Sequence, residues 1–177
     1  GVPSKTPTAP GGAERVVYPV HDALTSSVSP NTHYGLLGFL LVKGGRAPVY
    51  RSYVKFVVPA LPDVVRGASL RLYVIDGTPY TTSVYRVGNT YARSNTEWTE
   101  TGIAWSNQPE VAGAPLASFG SVSAWRSVDV DITSAVTGAG TYSFALVTTG
   151  EDPSGYRSRQ AANLLQRPRL TITTAGQ

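Results

Sequence analysis

The chain has 177 residues, of which 41% are hydrophobic and 15% charged, and it contains 18 Gly and 13 Pro. This length fits one domain, the hydrophobic content excludes a disordered chain, and the many turn-forming residues favour strands over long helices. The formal net charge of +4 is too small to indicate a nucleic-acid module, although it favours acidic partners over basic ones.

The first segment, GVPSKTPTAPGGAE, is rich in Pro, Thr, Gly and Ser and almost free of large apolar residues. That composition is typical of an extended, solvated tether between domains. We therefore predict a linker over residues 1–14 and a single folded domain over 15–177. Because the chain has no Met, even at position 1, we expect a processed product or a piece of a longer chain with further, covalently linked domains.

From Arg15 onward, short apolar segments alternate with turn residues. In chain order they are RVVYPV, DALTSSV, LGFLLVK, YRSYVKFVV, ASLRLYVI, TSVYRV, PLASF, RSVDVDI, TYSFALVTT and PRLTITT. They are rich in β-branched and aromatic residues, and only DITSAVTG and EVAGAP could form a helical turn. No apolar run approaches the roughly 18 residues of a membrane span. We predict an all-β fold, a two-sheet antiparallel β-sandwich of jelly-roll type.

The fourth segment carries cations and a phenol on one side of the strand. Successive side chains of a strand point to opposite faces, so Arg51, Tyr53 and Lys55 share one face while Val54 and Phe56 share the other. We expect the second face to lie in the core. The first face is then either solvated or available to hold an anionic partner.

Similar outward-facing basic and aromatic residues occur on other segments. They are Arg71, Tyr73, Tyr85, Arg86, Arg157 and Arg159. If their strands neighbour one another in one sheet, these side chains and those of the fourth segment would form a cationic, phenol-lined strip with a spacing of about 5 Å. Guanidinium groups pair bidentately with carboxylates, so such a strip would suit a chain of uronic acids. A solvated face, or arginines paired with acids of the same chain, is the alternative.

Residues 89–111 form the longest irregular stretch, and it contains two tryptophans. Their size favours packing of Trp98 and Trp105 in the core over a stacking platform for sugar rings. Glu97 and Glu100 could suggest a glycosidase pair, which we consider the weakest interpretation. No HExxH, His-x-His or G-x-S-x-G pattern accompanies the two histidines, and phosphate-loop and RNA-binding signatures are absent. We therefore predict no catalytic residues and no zinc site.

A structural calcium ion is a further candidate, because sugar-binding jelly rolls often carry one. The oxygen ligands available to it are Asp22, Asn31, Asp129 and Asp131, although their spacing matches no known calcium loop. Turn capping by these side chains is the alternative.

Several pieces of the chain, taken in order, resemble a known bacterial domain. They are Asp22–Gly35, Arg51–Phe56, Ala68–Val74, Val84–Val87, Trp98–Pro109, Val128–Val136, Tyr156–Ala161 and the closing PRLTIT. This series resembles the DNRLRE domain, also classed as family 96 of the carbohydrate-binding modules and related to disaggregatase-type repeats. Two positions depart from the family pattern: Gln160 stands where a glutamate is usual, and AWSN around Trp105 replaces Thr-Trp-Asn-Asn.

The resemblance implies a jelly-roll sandwich attached to extracellular polysaccharide-active enzymes or cell-surface proteins, with affinity for acidic polysaccharide such as alginate. We therefore expect a secreted or surface-exposed, non-catalytic module that tethers an attached protein to such a polymer, without nucleic-acid or membrane partners. The alternative function is a structural or adhesion spacer that binds no glycan.

Overall fold

The computed structural model describes residues 12–176, and its regular elements are almost all strands. The strands are β1 (Glu14–Val17), β2 (His21–Ser26), β3 (Phe39–Val42), β4 (Tyr50–Val58), β5 (Val65–Asp76), β6 (Thr78–Val87), β7 (Ala117–Val122), β8 (Arg126–Asp131), β9 (Gly140–Thr148), β10 (Ser154–Arg157) and β11 (Arg169–Thr174). The other regular elements are two short 3-10 helices, Thr133–Ala135 and Leu164–Gln166. The first lies in the predicted helical turn DITSAVTG.

The strands form two antiparallel sheets, so the predicted β-sandwich is confirmed. Sheet A has the order β1-β11-β5-β10-β3, with β8 on the free side of β5, and sheet B has the order β2-β4-β9-β6-β7. From β1 to β6 each strand lies in the sheet opposite to the one before it. This alternation is that of a jelly roll.

The core lies between the two sheets and is built from alternate residues of the long strands. On β5, Leu70, Leu72 and Val74 are buried, and on β4 Val54 and Phe56 face them from sheet B. The intervening residues of β5 point away from the core, as alternation along a strand requires. The outer face of each sheet is therefore where the predicted basic residues must be sought.

The predicted tether lies outside the described residues as far as Gly11, and β1 begins at Glu14. Between Gly12 and Gly176, no helix has the length and apolar character needed to cross a bilayer.

Candidate functional site

The outer face of sheet B is covered by the connection between β6 and β7, residues 88–116, here called the covering loop. Its Trp98 and Ile103 form a second apolar cluster with Tyr53 of β4. Trp98 is fully buried, and its indole nitrogen donates a hydrogen bond to the Ser143 hydroxyl at 3.1 Å. Much of the outer side of β4 is therefore interior.

Lys55 lies beneath the covering loop with only 2% of its surface exposed. Its Nζ donates hydrogen bonds to the carbonyl oxygens of Asn89 at 2.9 Å and Trp98 at 2.6 Å, and lies 4.7 Å from the centre of the Trp98 ring. Burial lowers the pKa of Lys55, and the charge of Glu97 opposes that shift. Carbonyl oxygens and a ring face replace the water lost by this cation, so Lys55 fastens the loop to the sheet.

Replacing Lys55 by methionine keeps the apolar stem but leaves the two carbonyl oxygens without their donor. We expect the free energy of unfolding to fall by about 2 kcal/mol, measured by urea denaturation. Lys43→Met is the matched control, because Lys43 Nζ also donates to two carbonyl oxygens, of Gly44 and Arg46, at a more exposed position. Water can replace that lysine, so the control should change stability by less than about 0.5 kcal/mol. Equal losses in both variants would contradict a fastening role for Lys55.

The predicted cationic strip does not form as one surface. β4 and β6 belong to sheet B, whereas β5 and β10 belong to sheet A, so Arg51 and Arg71 lie on opposite outer faces of the sandwich. The expectation of solvent exposure is also wrong for Tyr53 and Lys55, because the covering loop buries both. Tyr53 donates from its hydroxyl to the Pro109 carbonyl oxygen at 3.3 Å, and burial raises the pKa of Tyr53 to about 12.

Arg51 lies where the covering loop leaves part of the outer face of sheet B open. Its guanidinium carbon is 5.2 Å from the centre of the Trp105 ring. Both residues line an open depression of about 410 Å³, here called the Arg51–Trp105 depression, which also receives Arg93, Gln108 and Glu110. Among residues 12–176, no acid forms a salt bridge with Arg51 or Arg93. Two guanidinium groups and an indole thus share one opening.

The Arg51–Trp105 depression is held in place from below. The Thr25 hydroxyl of β2 donates to Gln108 Oε1 at 2.6 Å, and the Tyr53 hydroxyl reaches the neighbouring Pro109. Arg51 Nε is buried without a hydrogen-bond partner in the described chain. These contacts with the sheet fix the loop residues that line the opening, so little further ordering is needed when a ligand enters.

Three other predicted residues, Arg71, Tyr73 and Arg157, lie on the outer face of sheet A. Arg71 donates from Nε and Nη2 to the two carboxylate oxygens of Asp129 at 2.7 and 2.9 Å, and this pairing raises the pKa of Arg71. A depression of about 590 Å³ surrounds the pair and is also lined by Arg169. The charge of Arg71 is therefore already matched by an acid of the same chain.

Arg159 belongs to a polar cluster that joins the end of β10 to the covering loop. Its Nη1 donates to Glu100 Oε1 at 2.9 Å, and its backbone nitrogen donates to Asp22 Oδ2 at 2.7 Å. Gln160 Nε2 donates to Glu100 Oε2 at 2.6 Å, and His21 Nδ1 lies 3.6 Å from Glu100 Oε1. The acid that pairs with Arg159 thus comes from the covering loop rather than from position 160. A glutamate at 160 would place two carboxylates side by side.

Asp22 is the most deeply buried acid of this cluster. It is fully shielded from solvent, and its Oδ1 has no hydrogen-bond partner among the described residues. Burial raises the pKa of Asp22 to about 7, and the hydrogen bond from the Arg159 backbone opposes the shift. Burial also lowers the pKa of His21, against the attraction of Glu100.

The remaining predicted residues, Tyr85 and Arg86, serve packing contacts. Tyr85 lies against the second apolar cluster. Arg86 Nη1 donates to the Ala135 carbonyl oxygen at 3.1 Å, and its guanidinium carbon lies 4.6 Å from the centre of the Tyr142 ring. Whether these or the other predicted residues contact a glycan stays a prediction. Neither Arg51 nor Arg86 has an acid partner in the described chain, but Arg86 donates to a backbone carbonyl oxygen, whereas Arg51 lies beside Trp105 in an open depression.

The residues predicted for calcium do not converge. Asp22 belongs to β2, Asn31 to the loop that follows it, and Asp129 and Asp131 to β8 of the other sheet. Within residues 12–176, no group of three or more His, Cys, Asp or Glu side chains is arranged to hold a metal ion. A structural calcium ion therefore stays a prediction to which the fold assigns no ligand set.

Sequence reasoning placed Trp98 and Trp105 in the core, which is confirmed for Trp98 but wrong for Trp105, since Trp105 is half-buried and lines the open depression. It also missed Arg93 and Trp125. Arg93 is one of several polar residues of the covering loop, and only the path of the loop brings it to Arg51. Trp125 lies between β7 and β8 with 64% of its surface exposed. A lone tryptophan among small polar residues, between two predicted strands, is the signal that could have identified it.

Comparison with known proteins identifies a family for almost the whole described chain. The family model of carbohydrate-binding module family 96 matches residues 13–174. No curated protein matches the chain. Among solved structures, the chain is similar to the C-terminal family 6 carbohydrate-binding module of LamC, a marine laminarinase from Zobellia galactanivorans. The identity is 9%, the TM-score is 0.31, and the match covers 92% of this chain and 100% of that chain. A likeness this weak has no bearing on the ligand.

Proposed function

Because the chain belongs to carbohydrate-binding module family 96, we propose that it binds an acidic, alginate-like polysaccharide in the Arg51–Trp105 depression. A module of this kind holds a sugar polymer without making or breaking bonds. One observation carries the choice of an acidic ligand. Arg51 lies against Trp105 and shares an opening with Arg93, while no acid of the described chain forms a salt bridge with either cation.

The chemistry of the depression suits a uronic acid. A guanidinium group binds a carboxylate through two parallel hydrogen bonds, and these charge-assisted bonds are stronger than neutral ones. The indole of Trp105 offers an apolar surface to the C–H face of a sugar ring, and Gln108 offers an amide to its hydroxyls. Glu110, at the same opening, accepts hydrogen bonds from hydroxyls and repels a second carboxylate. The anion is thereby directed towards the two arginines.

The Arg51 guanidinium is oriented before a ligand arrives. Its position against the Trp105 ring restricts the side chain, and the ring beneath it is carried by the covering loop. The loop in turn is fastened by Lys55 and by the Thr25–Gln108 hydrogen bond. Side-chain freedom lost before binding is not lost again on binding, so a fixed arginine gains affinity relative to a mobile one.

We place this module outside the cell, as part of a secreted or surface protein, with the segment that precedes β1 as its connection to neighbouring domains. The Pro, Thr and Gly content of that segment supports this role. By holding the polymer, the module would raise the local concentration of substrate around an attached enzyme. Any structural calcium ion would support the fold rather than the binding chemistry.

One observation favours a second candidate, a structural or adhesion spacer that binds no glycan. Arg71 and Arg159 are already paired with Asp129 and Glu100 of the same chain. In a spacer that binds no anion, we expect the arginines to be paired with acids of the same chain. Binding of a glycan in the Arg51–Trp105 depression would distinguish the proposed module from this spacer.

Calorimetric titration of alginate oligomers into the wild type and two variants tests the proposal. Arg51→Gln removes a cation without an acid partner, and we expect its affinity to fall about tenfold because a charge-assisted pair is lost. Arg71→Gln is the matched control, since it removes a paired arginine from the opposite face. Its affinity should stay within about twofold of the wild type.

Ionic strength and a neutral ligand complete the test. Affinity for alginate oligomers should weaken as salt increases, because the contacts join opposite charges near the surface. Equal binding of neutral cellulose oligomers would overturn the acidic preference. Absence of binding to every glycan would favour the spacer.

A further inference from the structure

The turn between β7 and β8 displays a tryptophan to solvent. Trp125 has 64% of its surface exposed, and neither apolar cluster of the described chain includes it. β7 ends at Val122 in sheet B and β8 begins at Arg126 in sheet A, so the turn crosses one edge of the sandwich. A large apolar ring left in water contributes little to folding stability. Its presence calls for another reason.

The backbone of this turn does not require an indole. Trp125 has a φ of 66°, in the left-handed region, which bulky side chains seldom adopt and which Gly or Asn accept more readily. The turn is nevertheless firmly anchored. The backbone nitrogen of Trp125 donates to the Val74 carbonyl oxygen at 2.8 Å. The backbone also packs closely at Gly77, where an added Cβ would lie only 2.5 Å from the Val122 carbonyl oxygen. The indole therefore belongs to a residue whose backbone is strained and whose turn is fixed. This favours a role for the ring itself.

The surroundings of Trp125 combine hydrogen-bonding side chains with three valines, of which Val74 is buried and Val122 and Val128 are half-buried. Beside the turn lies a depression of about 200 Å³, to which Ser121, Ser123, Arg126 and Ser127 contribute hydrogen-bonding groups in addition to these valines. Arg126 forms no salt bridge with any acid of residues 12–176. A protein-docking surface surrounds its aromatic anchors with apolar contacts. A single ring with hydroxyls and a guanidinium beside it matches a sugar, which has an apolar C–H face and a rim of hydroxyl groups.

We propose that Trp125 is a second carbohydrate contact, separate from the Arg51–Trp105 depression. Its indole stacks on the uncharged face of a pyranose ring, while Arg126 and the neighbouring serines hydrogen-bond the hydroxyls of that ring. This contact goes beyond the proposed function because it needs no carboxylate on the ligand. Of the premises of the proposed function, it shares only the family membership of the chain. A polymer long enough to reach both places would be held at two points, and the second contact would then be intramolecular.

The test compares variants that preserve the turn. Trp125→Asn removes the ring but tolerates left-handed backbone, so it should fold at least as stably as the parent, and Trp125→Phe keeps an aromatic face. Both are made in an Arg51→Gln background and run on native affinity gels at high salt, which suppresses the charge-based depression. The gels contain hydroxyethyl cellulose, galactomannan or alginate. We expect at least one polymer to retain the parent, Trp125→Asn to lose about fivefold in affinity, and Trp125→Phe to keep most of it.

Tryptophan fluorescence supplies an independent readout. Trp98 is buried and Trp105 half-buried, so the difference in acrylamide quenching between the parent and Trp125→Asn reports on Trp125. The retained polymer should protect this residue from the quencher. Retention by none of the three polymers, unchanged retention of Trp125→Asn, or a Trp125-dependent dimer in sedimentation would each overturn the assignment. Failure of the acidic-ligand proposal would appear elsewhere, in the salt-sensitive binding that Arg51→Gln removes.

Discussion

Replacing Trp98 with alanine is expected to lower the free energy of unfolding by about 4 kcal/mol. The indole is fully buried, lies 6.3 Å from the Tyr53 ring between centroids, and donates to the Ser143 hydroxyl. Its removal leaves a cavity between the covering loop and sheet B. Domains of this kind are stable by about 5 to 15 kcal/mol in total. The loss should therefore be plain in urea denaturation followed by circular dichroism.

Two controls separate packing from binding. Trp98→Phe keeps most of the ring volume but loses the hydrogen bond to Ser143, so about 1.5 kcal/mol is expected. Trp105→Ala removes a half-buried indole, and it should change stability by less than about 1 kcal/mol while weakening alginate binding. Similar destabilisation by Trp98→Ala and Trp105→Ala would contradict the division between a tryptophan that fastens the loop and one that faces the ligand.

Asp22 is expected to make the protein less stable as pH rises towards neutrality. Its pKa is raised by burial from 3.8 to about 7. Between those values the folded chain holds a proton that the unfolded chain has released, so raising the pH favours unfolding. The stabilising contribution of the protonated Asp22 is fully present below the pKa of Asp22 in the unfolded chain, 3.8. It is lost as the pH rises through the pKa in the folded chain, about 7. The shift corresponds to roughly 4 kcal/mol.

Asp22→Asn isolates this effect from other titrating groups. The side-chain oxygen of asparagine can still accept the hydrogen bond from the Arg159 backbone, and no charge is buried at any pH. Glu100, Arg159 and Arg167 act on the Asp22 carboxyl, and His21 beside it opposes the trend because its own pKa is lowered. We expect the variant to be more stable than the wild type at about pH 8, with little difference at about pH 4. Parallel curves of unfolding free energy between these pH values would contradict the assignment.

Most strands could be predicted from the sequence, because their side chains alternate along short apolar segments. The exception is β10, Ser154–Arg157, whose sequence SGYR has one large apolar residue. Both neighbours hydrogen-bond to it, β3 and β5, so the sheet supplies what its own composition lacks. Local propensity carries little information about a strand that forms through its partners.

The candidate site was predicted only in part. Arg51 was identified from its position on β4, but Trp105 and Arg93 join it from the covering loop. The same loop makes Tyr53 and Lys55 interior, although their alternation with core residues is that of a solvated face. The alternation of side chains along one strand indicates which of them share a face. It does not state whether another segment packs on that face.

The sequence by itself determined the all-β class, the core face of the long strands and the resemblance to the family, because each depends on residue types and spacings along the chain. Tertiary structure alone decided that β4 and β5 lie in opposite sheets, and that Arg71 meets Asp129 while Arg51 keeps no acid partner in the described chain. Those outcomes depend on which distant segments pair, and pairing is set by packing of the whole domain rather than by any local pattern.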